Sequence, residues 1–172
     1  MNEKSGVLKL ETARVLIYIN NNLRNISVEQ QPLFSEASCL KISLKANNKQ
    51  ITILATYRSP KSNINIFLSE LNTLLTSGVL KNNCIWIGDI NIDILALNTS
   101  LSTENYLNIL SSNGFISQIC TYTREVNETK SCIDHLFSRD VHLNTVVIKT
   151  IQLLSVNEWS GLFETSNPST AL

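Results

Sequence analysis

The chain has 172 residues, 43% of them hydrophobic, with fourteen Lys and Arg side chains balanced by fourteen Asp and Glu. That length and apolar share suit one folded domain with a sizeable core and exclude a disordered polymer. The cancelled charge excludes a broad cationic surface for nonspecific nucleic-acid binding, though a nuclease gripping a few phosphates needs none.

Met1 to Gly6 lacks a basic-then-apolar leader, and no apolar run reaches membrane-spanning length. The expectation is an intracellular protein, nuclear or cytoplasmic, with no membrane partner. Arg14 to Ile19 reads as a buried strand, followed by the turn-rich Asn20-Asn21-Asn22. Leu40, Ile42 and Leu44 alternate with Lys41, Ser43 and Lys45, the mark of a strand with one wet face. Asn47-Asn48 suits a hairpin turn, and Ile51 to Tyr57 returns until Ser59-Pro60 ends the strand.

Ser62 is placed to cap a helix whose apolar positions Ile64, Phe67, Leu68, Leu71, Leu74 and Leu75 share one face, with Gly78 as its stop. A strand from Cys84 to Ile87 follows, then a helix from Ser102 to Ser112 with Tyr106, Leu107 and Leu110 inward and Gly114 closing it. Phe115 to Ile119, Ile133 to Phe137 and Val141 to Thr150 are shorter strand candidates, and Ser155 onward, polar and aperiodic, is expected to fray. No repeat or linker divides the chain, so a single α/β domain is expected. Cys39, Cys84, Cys120 and Cys132 form no Cys-x-x-Cys pair and, with only His135 and His142 beside them, do not suggest a zinc site; Cys84 reads as a small core residue.

The chemistry concentrates where strands end. Ile85-Trp86-Ile87-Gly88-Asp89-Ile90-Asn91 is an apolar strand running into Gly-Asp-x-Asn. Two residues apart in extended backbone, Asp89 and Asn91 would point to one side. One reading is a turn, since Gly, Asp and Asn are common turn residues. The other is a hard-cation or phosphate site with a carboxylate able to bind Mg²⁺ or take a proton from water. An EF-hand loop is excluded, because Ile94 stands where glycine is required and Ser100 where the bidentate glutamate belongs. Tyr57-Arg58 offers a phenol and a guanidinium to a phosphate, or else a core edge with a wet tip. Thr123-Arg124 and Ser131-Cys132-Ile133-Asp134-His135 form a third cluster, in which Asp134 and His135 should face opposite sides of a strand. Asp134 is then either a site residue or a buried hydrogen-bond anchor.

In order, Tyr-Arg-x-Pro, Gly-Asp-x-Asn, Thr-Arg and Ser-x-Ile-Asp-His resemble the endonuclease/exonuclease/phosphatase superfamily, especially the apurinic-type endonuclease domain of non-LTR (LINE-type) retrotransposons. Val15 to Asn20 resembles that family's strand too, although Thr12-Ala13-Arg14 replaces its glycine-rich lead; the likeness spans about residues 12 to 150. The resemblance implies two mixed β-sheets packed face to face with outer helices, and a divalent metal, usually Mg²⁺, assisting water's attack on a DNA phosphodiester. By position, Asp89 would orient or deprotonate the water and bind the metal, and Asn91 would hold the water or a phosphate oxygen. Tyr57 and Arg58 would contact phosphate, Thr123 would line the pocket, and Asp134 would steady a catalytic histidine.

The resemblance also implies an earlier asparagine and a metal-binding glutamate, and a later Ser-Asp-His. Fourteen residues before Val15 do not supply the first pair, and Ser155-Val156-Asn157 replaces the second. The chain is therefore expected to be a partial, diverged domain over residues 1 to 172, its N-terminal part missing and its nuclease activity impaired or lost. The alternative is a non-enzymatic remnant or binding module pairing through an open sheet edge.

Overall fold

The computed structural model describes residues 7–11, 14–20, 25–46, 49–80, 83–119 and 121–141. An antiparallel hairpin comes first, β1 (Val7–Glu11) with β2 (Leu16–Asn20). Next, β3 (Ser27–Gln30), β4 (Ala37–Ala46) and β5 (Lys49–Arg58) form an antiparallel meander. Helix α1 (Ile64–Thr76) then crosses over to β6 (Cys84–Asp89), which lies parallel to β5, as a strand–helix–strand unit allows. A 3-10 turn (Ile94–Ala96) leads into α2 (Leu101–Ser112). The remaining strands are β7 (Ile116–Ser117), β8 (Arg124–Val126), β9 (Thr129–Ser131) and β10 (Asp134–Arg139).

Six strands make one mixed sheet in the order β3-β4-β5-β6-β10-β7, and β1–β2 and β8–β9 are separate two-stranded sheets. Both helices cover one face. Their apolar stripe, with Phe67, Leu71, Tyr106 and Leu110, packs on Cys39, Leu54, Cys84, Trp86 and Phe137. The opposite face carries an apolar row in register, Leu40–Ala55–Ile87–Leu136. Arg14, two residues before β2, stacks over the Tyr57 ring, which puts the start of β2 on that opposite face. The architecture is thus the expected α/β one, a mixed sheet faced by a second sheet with helices outside.

Several local expectations change. The strand read as buried at Arg14 to Ile19 is half wet, with Tyr18 66% exposed against 9% for Ile19, because it pairs as a surface hairpin rather than entering the central sheet. Asn63, not Ser62, caps α1 by accepting from the Asn65 and Ile66 amides. Ser62 instead donates to the Ser59 carbonyl and receives Arg58. The Asn47-Asn48 turn, Cys120, His142, the Val141 to Thr150 strand beyond its first residue, and Ser155-Val156-Asn157 lie outside the described residues.

A buried polar relay links α2 to β10. Trp86 Nε1–H donates to Tyr106 Oη at 3.0 Å, Tyr106 Oη lies 2.9 Å from His135 Nδ1, and His135 Nε2 lies 3.1 Å from the Cys132 carbonyl. A carbonyl only accepts, so His135 carries its proton on Nε2, and the Tyr106 hydroxyl donates to Nδ1. Burial lowers the His135 pKa and keeps the ring neutral, against the opposing pull of the Cys132 hydrogen bond. Tyr106→Phe strands an indole N–H and an imidazole nitrogen in the core. It should cost about 2 kcal/mol in urea unfolding, as for buried groups left unsatisfied; an unchanged midpoint rejects the relay as a stabilising element.

Candidate active site

One row of side chains ends the apolar face opposite the helices. Register continues Leu40–Ala55–Ile87–Leu136 two residues further as Ser38–Tyr57–Asp89–Asp134, across β4, β5, β6 and β10. Strand spacing of about 4.8 Å therefore sets a hydroxyl, a phenol and two carboxylates side by side at the sheet's end. Three of the sequence-predicted residues, Tyr57, Asp89 and Asp134, meet here. The Asp89–Asp134 pair is the closer, non-hydrogen-bonded kind, because the Ile90 amide bonds the Ile133 carbonyl one step on.

The loop after Asp89 is fixed by backbone geometry. Gly88 lies at φ +152°, and a Cβ there would sit 1.7 Å from the Thr56 carbonyl oxygen, so no other residue fits. Arg58 is 3% exposed, and its guanidinium is fully engaged inward. Nε donates to the Ile90 carbonyl at 2.8 Å, Nη2 to the Asn91 carbonyl at 2.9 Å, and Nη1 to Ser62 Oγ at 3.1 Å. The expectation that Arg58 meets a phosphate is corrected: every guanidinium nitrogen is spent on the chain itself. Burial lowers its pKa while Asp89 pulls the other way.

Asn91 also reaches the site differently from the sequence reading. It sits beyond β6 at φ +54°, a left-handed conformation that asparagine tolerates, so strand alternation does not aim it. Its Nδ2–H donates to the Arg58 carbonyl at 2.8 Å, and its amides hydrogen-bond the Asp89 carboxylate. Arg58 and Asn91 thus lock each other through reciprocal main-chain bonds.

Thr123 holds the segment before β10 rather than opening toward solvent. Its Oγ1 accepts from the Ile133 and Asp134 amides at 3.2 and 3.1 Å. Asp93, two residues beyond Asn91, bridges the two loops. Its Oδ1 accepts from Leu95, capping the 3-10 turn, and from Cys132 at 2.8 Å. An Asp directly before Ile-Leu-Ala is a recognisable cap signal. His135 turns into the core, 1% exposed, while Asp134 faces out, as alternation requires.

The Asp89 carboxylate is half-buried, and its Oδ1 is a buried oxygen without a hydrogen-bond partner among the described residues. Desolvation raises its pKa first and the Asp134 charge second, against lowering by Asn91 and Arg124. Such an oxygen suits a proton, a water or a cation. No group of three or more metal-ligating side chains forms among the described residues. Asp89 and Asp134 alone are too few for a hard cation that takes six or more oxygens unless water and substrate supply the rest.

No protein-family model and no curated protein matches the chain. Solved structures do. The endonuclease domain of TRAS1, a telomere-specific non-LTR retrotransposon, aligns over 78% of this chain and 65% of its own at 15% identity, with a TM-score of 0.55. A humanised D. rerio TDP2 aligns over 80% of this chain and 62% of its own at 14% identity and TM-score 0.56. D. rerio TDP2 complexed with single strand DNA product covers 77% and 61% at TM-score 0.52 and 14% identity. The chain therefore spans under two thirds of these relatives' length. Its fold is the endonuclease/exonuclease/phosphatase sandwich, and it resembles a retrotransposon endonuclease domain.

Two substitutions test the site's construction. Gly88→Ala drives a methyl into a central backbone carbonyl and should cost about 4 kcal/mol or abolish folding; near-native urea stability contradicts the Thr56 contact. Asp89→Asn should raise stability at pH 7. The raised carboxyl pKa means the folded state favours the protonated form, so its contribution is present in acid and lost as pH rises through the folded pKa. The variant's advantage should shrink as pH falls through the raised folded pKa toward about 4, the ordinary carboxyl value, and stay flat below it. An advantage that stays constant with pH assigns the effect elsewhere.

Proposed function

We propose that the chain carries the phosphodiester-facing part of a DNA endonuclease centre of the retrotransposon type, as a partial domain over residues 1 to 172, and that hydrolysis by this chain alone is impaired. The observation that carries the reading is the row Tyr57–Asp89–Asp134, three residues of the family-like motifs set at one level on adjacent strands. In this reading the Tyr57 phenol orients a phosphate, Asn91 holds the Asp89 carboxylate in place, and Asp89 positions or deprotonates the attacking water.

Impairment follows from what the remaining residues do. Asp134 serves a histidine in the family, but His135 is committed to Tyr106 and Cys132 inside the core. The resemblance implies Mg²⁺ as cofactor, which supplies phosphate neutralisation when bound; Asp89 and Asp134 would hold it with water and substrate completing the shell, since no group of three or more metal-ligating side chains forms among the described residues. Groups that act as a unit lose their effect together. The alternative of pairing through a sheet edge gains little support, since the six-stranded sheet ends on strands of four and two residues.

Nicking of supercoiled plasmid in Mg²⁺, compared with Asp89→Ala, separates the parts of the proposal. Equal, background-level nicking is expected, and Asp89-dependent nicking overturns the impairment. Binding of a labelled single-stranded oligonucleotide should weaken about threefold to tenfold in Tyr57→Phe, as for loss of one hydrogen bond. Unchanged binding removes Tyr57 from the phosphate.

A further inference from the structure

A polar cavity of about 260 Å³ opens on the other side of Tyr57 from Asp89, lined in part by Arg14, Ser35, Glu36, Ser38 and Ser59. Arg14 is exposed, with its guanidinium carbon 5.5 Å from the Tyr57 ring centroid, so the ring braces the charge. Two of the polar groups beside it are engaged. Ser35 Oγ donates to Glu70 at 2.6 Å, and Glu36 Oε2 accepts the Asn63 amide at the start of α1 at 2.8 Å, where the helix dipole offsets its charge. Arg14's guanidinium, Ser38's hydroxyl and Tyr57's phenol have no hydrogen-bond partner among the described residues. The groups left over include these three donors with Arg14's positive charge, and the second carboxylate oxygen of Glu36 on the same cavity.

We propose that Arg14 and Ser38, with Tyr57 as the dividing wall, form a second oxyanion subsite that takes the phosphate next to the one at Asp89. The proposal rests on the phosphodiester reading above and deepens it. Register supports the spacing: Ser38 lies two strands from Asp89 in the same row, roughly 10 Å away, within reach of a neighbouring phosphate on one nucleic-acid chain. A guanidinium is also the side chain best suited to a phosphate's paired oxygens. The occupant is therefore a strand with at least two consecutive phosphates rather than a mononucleoside ester.

The test uses the full chain and three probes in an NMR shift titration. These are dithymidine with its internal phosphate alone, the same with a 5′-phosphate, and the same with a 3′-phosphate. One terminally phosphorylated probe should bind about tenfold tighter than the internal-phosphate probe, the scale of one charge-assisted contact. Arg14→Ala should erase that advantage and leave the internal-phosphate affinity unchanged, while Arg14→Lys keeps part of it; circular dichroism checks that both variants fold. No advantage in the wild-type chain, or an advantage that survives Arg14→Ala, overturns the subsite and leaves the Asp89 reading standing. Failure of all three probes to bind overturns both.

Discussion

A guanidinium buried at the end of β5 holds the loop on which the site depends. Arg58 gives its N–H groups to the carbonyls of Ile90 and Asn91, the two residues following the last strand position of β6. Those carbonyls point away from any sheet partner, and leaving them buried and unpaired would cost about 1–3 kcal/mol each. Asn91 returns the contact through its own side chain to the Arg58 carbonyl. The exchange converts the end of a parallel strand pair, normally a place where chains splay, into a rigid corner. It also explains why Gly88 must precede it: the chain leaves the strand with Thr56 pressed against its α-carbon.

That rigidity sustains an electrostatic cost elsewhere. Two carboxylates directly opposite on neighbouring strands repel, and one is half-buried with an unpartnered oxygen. Nothing in the packing requires acids there; serine or threonine would fill the space with less strain. The opposing stabilisation comes from Arg58 and Arg124, whose charges act on Asp89, and from the Asn91 hydrogen bonds. The loops behind are stitched by Asp93 to Cys132 and by Thr123 to Asp134, so the repelling groups cannot relax apart. The fold thus holds two like charges together against a repulsion that a proton on Asp89 would relieve.

The parts of this arrangement visible in the sequence are those governed by strand parity. Asp89 follows an apolar strand, Tyr57 ends another, and alternation parts Asp134 from His135; which of that pair joins the site came from the family resemblance, and the structure turns His135 inward. Arg58 was not, because composition does not distinguish a guanidinium buried on carbonyls from one offered to solvent. Asn91 came to the right place by a left-handed turn instead of by alternation, which the Asp-Ile-Asn string does not encode. The hairpin β8–β9 escaped because its strands are three residues long, exposed and polar, with the turn made by Asn127 and Glu128 at positive φ. The edge strand β3 escaped for similar reasons, four residues long and mostly exposed, whereas β1, with its Leu8-Lys9-Leu10-Glu11 alternation, was legible but not read.

The same parity argument constrains what His135 can ever do. Moving its ring to the site face would require slipping β10 by one residue against β6, which would turn Leu136 and Ser138 into the helix-packed core and Phe137 out of it. The relay from Trp86 through Tyr106 fixes the opposite choice, since the indole and phenol donors find their acceptors only with the imidazole inward. Core packing and the proton chain therefore agree, and Asp134 is presented to the site without a histidine of its own strand. A histidine partner for Asp134 must come from a different element. The division across β10, an exposed carboxylate on one face and buried cohesion on the other, thus follows from a single residue step in the sequence.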